Sequence, residues 1–210
     1  MSKRIADVTG AAVLIVLAAP VIAVAALISF ASYRRWPFFV QTRVGRDERP
    51  FRLVKVRTLA PTTPSNVPKA LLEAHRPGGA CRFLRAHHID ELPQLIHVLR
   101  GTMSLVGPRP EMEQLHAGLP PDFARLRTTV RPGITGLWQV SQAVELMISD
   151  HPEYDRFYIA NARLRLDAWI LWRTLAGLLG RPLLASLDDL PGWVVRDADD
   201  ATTPVGGVPV

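Results

Sequence analysis

The sequence predicts an α+β chain, mostly helical, in which an apolar N-terminal membrane helix leads into one small domain. Three observations point there. From Val8 to Tyr33 no residue is charged. Short strand-like runs separated by turn residues occupy the stretch from Arg34 to Leu59. Beyond residue 80, apolar residues recur at the 3-and-4 spacing of amphipathic helices.

Composition narrows the class. At 210 residues and 48% apolar, the chain has room for one core and is too apolar to be disordered. The formal charge is +6, and all but three of its basic residues (Lys3, Lys55, Lys69) are arginines, whose planar fork suits phosphate and carboxylate. A single cysteine, Cys81, excludes an internal disulfide and any multi-cysteine metal site.

The N-terminal run of 26 uncharged residues would form a helix of about 39 Å, enough for a hydrocarbon core of about 30 Å. A signal peptide would be shorter and end in a small-residue cleavage site, which Trp36-Pro37-Phe38-Phe39 is not. Basic residues flank the run on both sides, Lys3-Arg4 before it and Arg34-Arg35 after it, so the positive-inside bias selects neither orientation. Pro20 sits near the middle and predicts a kink. A kinked spanning helix and a helix that returns to the same leaflet both remain open on these grounds.

Further along, Phe38-Phe39-Val40 and Phe51 to Val56 read as strands on either side of Gly45 and an Arg-Asp-Glu-Arg-Pro turn. Residues 60–79, rich in proline and glycine, read as a loop with a short helix around Lys69 to His75. Arg82 to Arg85 opens a helix. Asp90 reads as an N-cap, with Pro93 in the first turn, an apolar stripe at Leu92, Leu95, Ile96 and Leu99, and Gly101 as the stop. Val106 to Pro110 and Arg131 to Gly136 are rigid turns, the second leading into a strand-like Leu137 to Val140. Pro152 to Leu179 reads as helix, with Trp169, Trp172 and leucines set among arginines, a composition that suits a core helix or one lying in a membrane interface.

Asp90 and Glu91 are adjacent carboxylates at a helix start. An ionised carboxylate there can attack phosphorus, and its neighbour can share a divalent cation. The pair alone also fits an acidic N-cap followed by an acidic first-turn residue. Rigid arginines nearby in sequence, above all Arg109 between Pro108 and Pro110, favour a phosphate-rich substrate. A nucleic-acid binder, which the basic charge allows, lacks a helix-turn-helix signature or an aromatic strand platform. A metal hydrolase lacks a histidine pair at i, i+4 with an acidic partner.

The strings Asp90-Glu91-Leu92-Pro93-Gln94-Leu95-Ile96 and Gly101 to Pro110 resemble those of the bacterial sugar transferases, the small monotopic phosphoglycosyl transferases. Lys3-Arg4 with Asp7, Phe39 with Gln41, Arg43 and Gly45, Lys55 to Thr58, Arg131 to Gly136 with Gln139, and Tyr154-Asp155 with Tyr158 extend the likeness from about residue 3 to about residue 180. Departures are Ala19 where serine often precedes the helix-breaking proline, Val56 and Leu59 in the basic stretch, Thr102 for an acidic residue, and His87-His88-Ile89.

The resemblance implies transfer of a sugar-1-phosphate from a UDP-sugar to undecaprenyl (polyprenyl) phosphate with release of UMP, the first membrane step of exopolysaccharide, O-antigen or glycoprotein glycan synthesis. It implies a phosphosugar bound covalently to Asp90, with Glu91 in the same dyad and Mg2+ held by the pair and the diphosphate. Pro108, Arg109 and Pro110 would face the nucleotide, and Arg85 and Arg131 would hold phosphates. Lys55 and Arg57 match the basic stretch near the site, and Gln139 joins the substrate-binding set. The fold expected is a re-entrant membrane helix broken at Pro20 (1–35), a small cytosolic catalytic domain with interfacial amphipathic helices (36–184), and a flexible tail (185–210). The expected place is the cytoplasmic face of the bacterial inner membrane. Expected partners are the two substrates, membrane lipids, downstream glycosyltransferases and a second copy of the chain, with no nucleic acid. The alternative is a non-catalytic membrane scaffold of the same fold, against which the intact Asp90-Glu91 pair speaks.

Overall fold

The computed structural model describes residues 2–63, 78–181 and 184–194. The expected short helix at Lys69 to His75 lies outside them, as does the tail from residue 195.

Helix α1 (Ser2–Tyr33) stays helical through Pro20. The expected break is not seen as a change of backbone class: a proline removes one amide donor and bends a helix without having to end it. Buried Asp7, Ala11, Ala25 and Ser29 mark its protein-facing side. Val13, Val16, Leu17, Val24 and Leu27 are exposed on the rest. Its most apolar stretch has a mean hydropathy of 2.9 and is only 11% buried, so α1 is no core helix, and its bare apolar surface calls for lipid.

Both ends of α1 rest on the same domain. Near the start, Arg4 donates to the carbonyls of Val98 and Leu99 (2.7 and 3.1 Å). Asp7 accepts from Ser104 Oγ (2.8 Å) and from the Leu105 amide (3.1 Å), and Lys3 pairs with Asp167 at 2.6 Å. Near the finish, Ala25 packs with Val56 and Leu84, Ser29 Oγ donates to the Arg57 carbonyl (2.7 Å) and the Tyr33 hydroxyl to that of Thr58 (2.8 Å).

Strands β1 (Phe38–Val44) and β2 (Pro50–Val56) form the expected antiparallel hairpin, with Phe38 opposite Val56 and Val44 opposite Pro50. Helix α2 (Gly79–Ala86) follows, then a 3-10 turn (Ile89–Gln94) that runs into α3 (Leu95–Arg100). Asp90 is therefore not the N-cap. His88, in the left-handed region, precedes the turn, and Asp90 and Glu91 sit within it.

Strands β3 (Ser104–Val106) and β4 (Gly133–Thr135) pair in parallel. Between them lie α4 (Glu113–Ala117) and α5 (Pro121–Thr128). The strand expected at Leu137 to Val140 is instead a 3-10 turn, Trp138–Val140, closed by Gln139 N to Gly136 O (3.1 Å) and Val140 N to Leu137 O (3.3 Å). Four apolar-rich residues fit strand or helical turn equally well by pattern, and the pairing edge of β3 is taken by residues 133–135. The final helical stretch is two helices, α6 (Pro152–Ala160) and α7 (Leu164–Leu178), separated by extended Arg163. On α7, Trp169 and Ile170 are buried whereas Leu171, Trp172, Leu175 and Leu178 are exposed. Residues 184–194, assigned from sequence to the tail apart from the first, pack on the domain: Ala185 bridges Ser141 and Val194 is fully buried.

The main core joins β2, α3, β3, α6 and α7 through Leu53, Leu95, Val98, Met103, Tyr158, Leu166 and Ile170, and Ala11 of α1 belongs to it. Two glycines hold the β3 and β4 turns together. A Cβ on Gly133 would lie 2.1 Å from the Gly107 amide nitrogen, and one on Gly107 would lie 2.4 Å from the Arg131 carbonyl.

Candidate active site

The 3-10 turn delivers Asp90 and Glu91 against β2 and the turn after β3. Glu91 Oε1 accepts from Lys55 Nζ at 2.5 Å, and Arg109 stands 3.8 Å away. Burial alone would raise the Glu91 pKa, but Lys55 and Arg109 hold it well below the usual carboxylate range. Lys55 is pulled down by its own burial, with Glu91 opposing.

Asp90 differs. It is 5% exposed, and among the described residues it has no ion pair. Burial, then the charge of Glu91, pushes its pKa up to about 6, and the charges of Lys55 and Arg85 only partly offset this. Two adjacent carboxylates thus have separate conditions: Glu91 is a neutralised anion fixed in an ion pair, and Asp90 is a desolvated carboxylate held by a backbone amide rather than by a cation.

A cavity beside the pair is walled by Arg43, Lys55, Gln94, Arg109, Pro110 and Ile134, among others. A second, behind the Pro-Arg-Pro turn, is walled by Pro108, Arg109, Pro110, Glu111, His116 and Arg127, with others. The first carries three cations and is suited to an anionic ligand.

Of the residues named from sequence, Asp90, Glu91, Lys55 and Arg109 converge, with Pro110 on the same cavity wall and the charge of Arg85 felt at Asp90. Pro108 walls the second cavity. Arg57 turns to the carbonyls of Trp36 (3.2 Å) and Phe38 (3.4 Å) and lies over the Phe39 ring. Arg131 is not brought to the pair by any described contact: its Nε donates to the Gly101 carbonyl at 2.8 Å, and its charged neighbours are Arg4, Arg46, Asp7 and Asp47. With Arg4, it caps the C-terminal end of α3, where free carbonyls favour cations. Gln139 donates to Ile134 O at 2.9 Å, which braces the end of β4.

Sequence reasoning gave no role to Arg43, Gln94, Arg127 or Asp155. Arg127, 5% exposed, pairs with Asp155 at 2.7 Å and donates to the Arg109 carbonyl at 2.9 Å. Arg43, Gln94 and Asp155 stand in the quoted strings, but nothing local separates Arg127 from the many other arginines.

Among the described residues no three His, Cys, Asp or Glu side chains converge on a metal position. Mg2+ needs no such cage: it is commonly bound through one or two carboxylates plus substrate phosphates and water. The dyad fits that mode, with Asp90 the carboxylate not taken up by an ion pair among the described residues.

A sequence profile for the family described as bacterial sugar transferase matches residues 1–181. The chain is 39% identical over 185 residues to a UDP-glucose:undecaprenyl-phosphate glucose-1-phosphate transferase of Caulobacter vibrioides, covering 83% of this chain and 66% of that protein. It is 34% identical over 188 residues to a UDP-N-acetylgalactosamine-undecaprenyl-phosphate N-acetylgalactosaminephosphotransferase of Aeromonas hydrophila, covering 84% of this chain and 43% of that one. It is 30% identical over 192 residues to the exopolysaccharide production protein ExoY of Rhizobium meliloti, covering 83% and 84%. The chain thus spans two thirds or less of the length of the first two relatives. The profile match reaches from α1 through α7 and takes in the dyad and both rigid turns: the chain belongs to the bacterial sugar transferase family.

Proposed function

We propose that the chain is a phosphoglycosyl transferase that moves a sugar-1-phosphate from a UDP-sugar to undecaprenyl phosphate and releases UMP. The observation that carries this reading is the division between the two carboxylates: Glu91 is locked to Lys55, while buried Asp90 is unpaired and has its pKa near 6. At neutral pH such a group is mostly ionised, and poor solvation makes it a better nucleophile.

In the first step an Asp90 carboxylate oxygen attacks the phosphorus that carries the sugar. The bond from that phosphorus to the bridging oxygen breaks, and UMP leaves with the electron pair. In the second step an oxygen of the lipid phosphate attacks the same phosphorus, the acyl-phosphate bond breaks, and Asp90 is freed as carboxylate while the lipid-linked diphosphate sugar forms. Lys55 and Arg109 place positive charge where the diphosphate would lie and stabilise charge on the departing UMP. Asp90, with Glu91 beside it, would hold Mg2+, which supplies Lewis-acid neutralisation of the diphosphate.

The pinning of both ends of α1 on one domain supports a re-entrant anchor: a helix whose two ends touch the same domain cannot readily place them on opposite sides of a bilayer. Lys3, Arg4, Arg34 and Arg35 then all lie at one face, the cytoplasmic face of the inner membrane by the positive-inside bias.

The test is UMP release by purified protein in lipid nanodiscs with Mg2+, undecaprenyl phosphate and a panel of UDP-sugars. Lipid-dependent release is the expected result, and omission of lipid with a donor labelled at the sugar-bearing phosphorus should leave label on the wild type but none on Asp90→Asn. Turnover by Asp90→Asn would overturn the covalent route. No release with any donor by folded, membrane-bound protein would favour the scaffold.

A further inference from the structure

The Pro108-Arg109-Pro110 turn must aim one guanidinium at Glu91, yet two of its three residues have no amide hydrogen to anchor it. It is held through its carbonyls. Four consecutive oxygens are each engaged by a different donor: Pro108 O by the Gly133 amide (2.9 Å), Arg109 O by Arg127 (2.9 Å), Pro110 O by Arg43 (3.0 Å), and Glu111 O by the Val44 amide (2.9 Å). β4, α5 and β1 thus grip the turn from three directions.

The two side-chain donors differ in kind. Arg127 is committed: Asp155 takes its Nε at 2.7 Å, and Phe123 lies under the guanidinium. Arg43 is not. Its Nη1 holds Pro110 O and its Nη2 holds Gln41 Oε1 at 2.7 Å, but its Nε–H is buried without a partner. Arg43 also walls the cavity shared with Lys55 and Arg109. A buried charged donor left unpaired is costly, and a ligand oxygen would satisfy it. Of the charges that act on Arg43, Arg109 repels it and Glu111 and Glu91 attract it, but none of them takes its Nε–H.

We propose that Arg43 is a substrate-binding and positioning residue: it fixes the Pro-Arg-Pro turn through Pro110 O and offers its free Nε–H to an anionic oxygen of the nucleotide-sugar diphosphate. The inference rests on the phosphoglycosyl transfer reading for the identity of that diphosphate. Arg127 positions the same turn from behind without meeting substrate.

Arg43→Lys keeps the charge and loses the fork, and Arg43→Ala removes both. The comparison uses full-length protein in nanodiscs, with UDP-sugar and undecaprenyl phosphate varied separately and UDP-sugar binding measured by calorimetry on the same samples. The expected result for Arg43→Lys is a rise in KM and Kd for the UDP-sugar on the order of 10- to 100-fold, with KM for the lipid within about twofold. Added guanidinium ion should restore part of the activity of Arg43→Ala, and equal ionic strength from sodium chloride should not. Donor and lipid constants that shift equally, together with a lowered Tm and no response to guanidinium, would reduce Arg43 to a structural residue and overturn the proposal. So would wild-type binding in Arg43→Ala. Binding of UDP-sugar by the wild type without UMP release would defeat the transfer reading instead, and the Arg43 comparison would still be decided by the binding constants.

Discussion

At the residue scale, the two carboxylates of the dyad differ in their pairing and their ionisation. Asp90 has its pKa raised by burial, so its ionisation costs the fold stability between its unfolded value near 4 and about 6. In metal-free buffer, Asp90→Asn should match the wild type in Tm near pH 4. It should exceed it increasingly up to about pH 6 and by a constant margin above. A pH-independent difference in thermal melts would show that burial does not penalise the Asp90 charge. Lys55 has the complementary role. Both side chains of its pair with Glu91 are largely buried, so Lys55→Met strands a carboxylate and should cost about 3–5 kcal/mol. Lys55→Met combined with Glu91→Gln should recover much of that in chemical denaturation, while activity stays lost. A double variant no more stable than the single one would argue against a buried pair.

At the element scale, the site is a junction of short pieces, none of which is stable alone. Strands β3 and β4 have three residues each, and the contact of Gly107 with Gly133 lets their turns stack closely enough for Arg109 to reach Glu91. Gly133→Ala places a methyl group 2.1 Å from the Gly107 amide nitrogen, which no rotamer relieves. The expected outcome is loss of soluble, folded protein or a Tm lower by well over 5 °C, the equivalent of roughly 2 kcal/mol or more in a domain of this size. A wild-type melt would mean that the turns do not pack as described. α3 belongs to this scale too. Its C-terminal carbonyls are capped by Arg4 from α1, and Arg131 holds Gly101 O just beyond, so the N-terminal helix is in direct contact with the helix into which the dyad's 3-10 turn runs.

At the scale of the whole molecule, an apolar helix with basic residues at both ends is laid across a domain and fastened at both ends. In a Cys81→Ser background, single cysteines placed at exposed Ser2 and Arg35 should be labelled from the same side of an inverted membrane vesicle by an impermeant maleimide. Labelling from opposite sides would establish a spanning helix. The hairpin, the helix at Arg82 to Arg85, the dyad's place at a helical turn, the turn at Pro108 to Pro110 and the apolar N-terminal run were legible in the residues, because each depends on local chemistry: alternation, proline and glycine geometry, and the length of an uncharged stretch. The 3-10 form of the turn at Asp90, the strand at Gly133–Thr135 in place of Leu137 to Val140, the packing of Ala185 and Val194, and the placement of Arg131 were not. Those follow from partners far away in the chain. A pattern of four apolar residues cannot say which edge is free to pair, and an arginine's sequence neighbours do not reveal which carbonyl it will meet. Sequence by itself determined the family and singled out the Asp90-Glu91 pair as the candidate. Tertiary structure decided which carboxylate is ion-paired and which carbonyls the arginines meet, because burial and ion pairing are set by packing between elements distant in sequence.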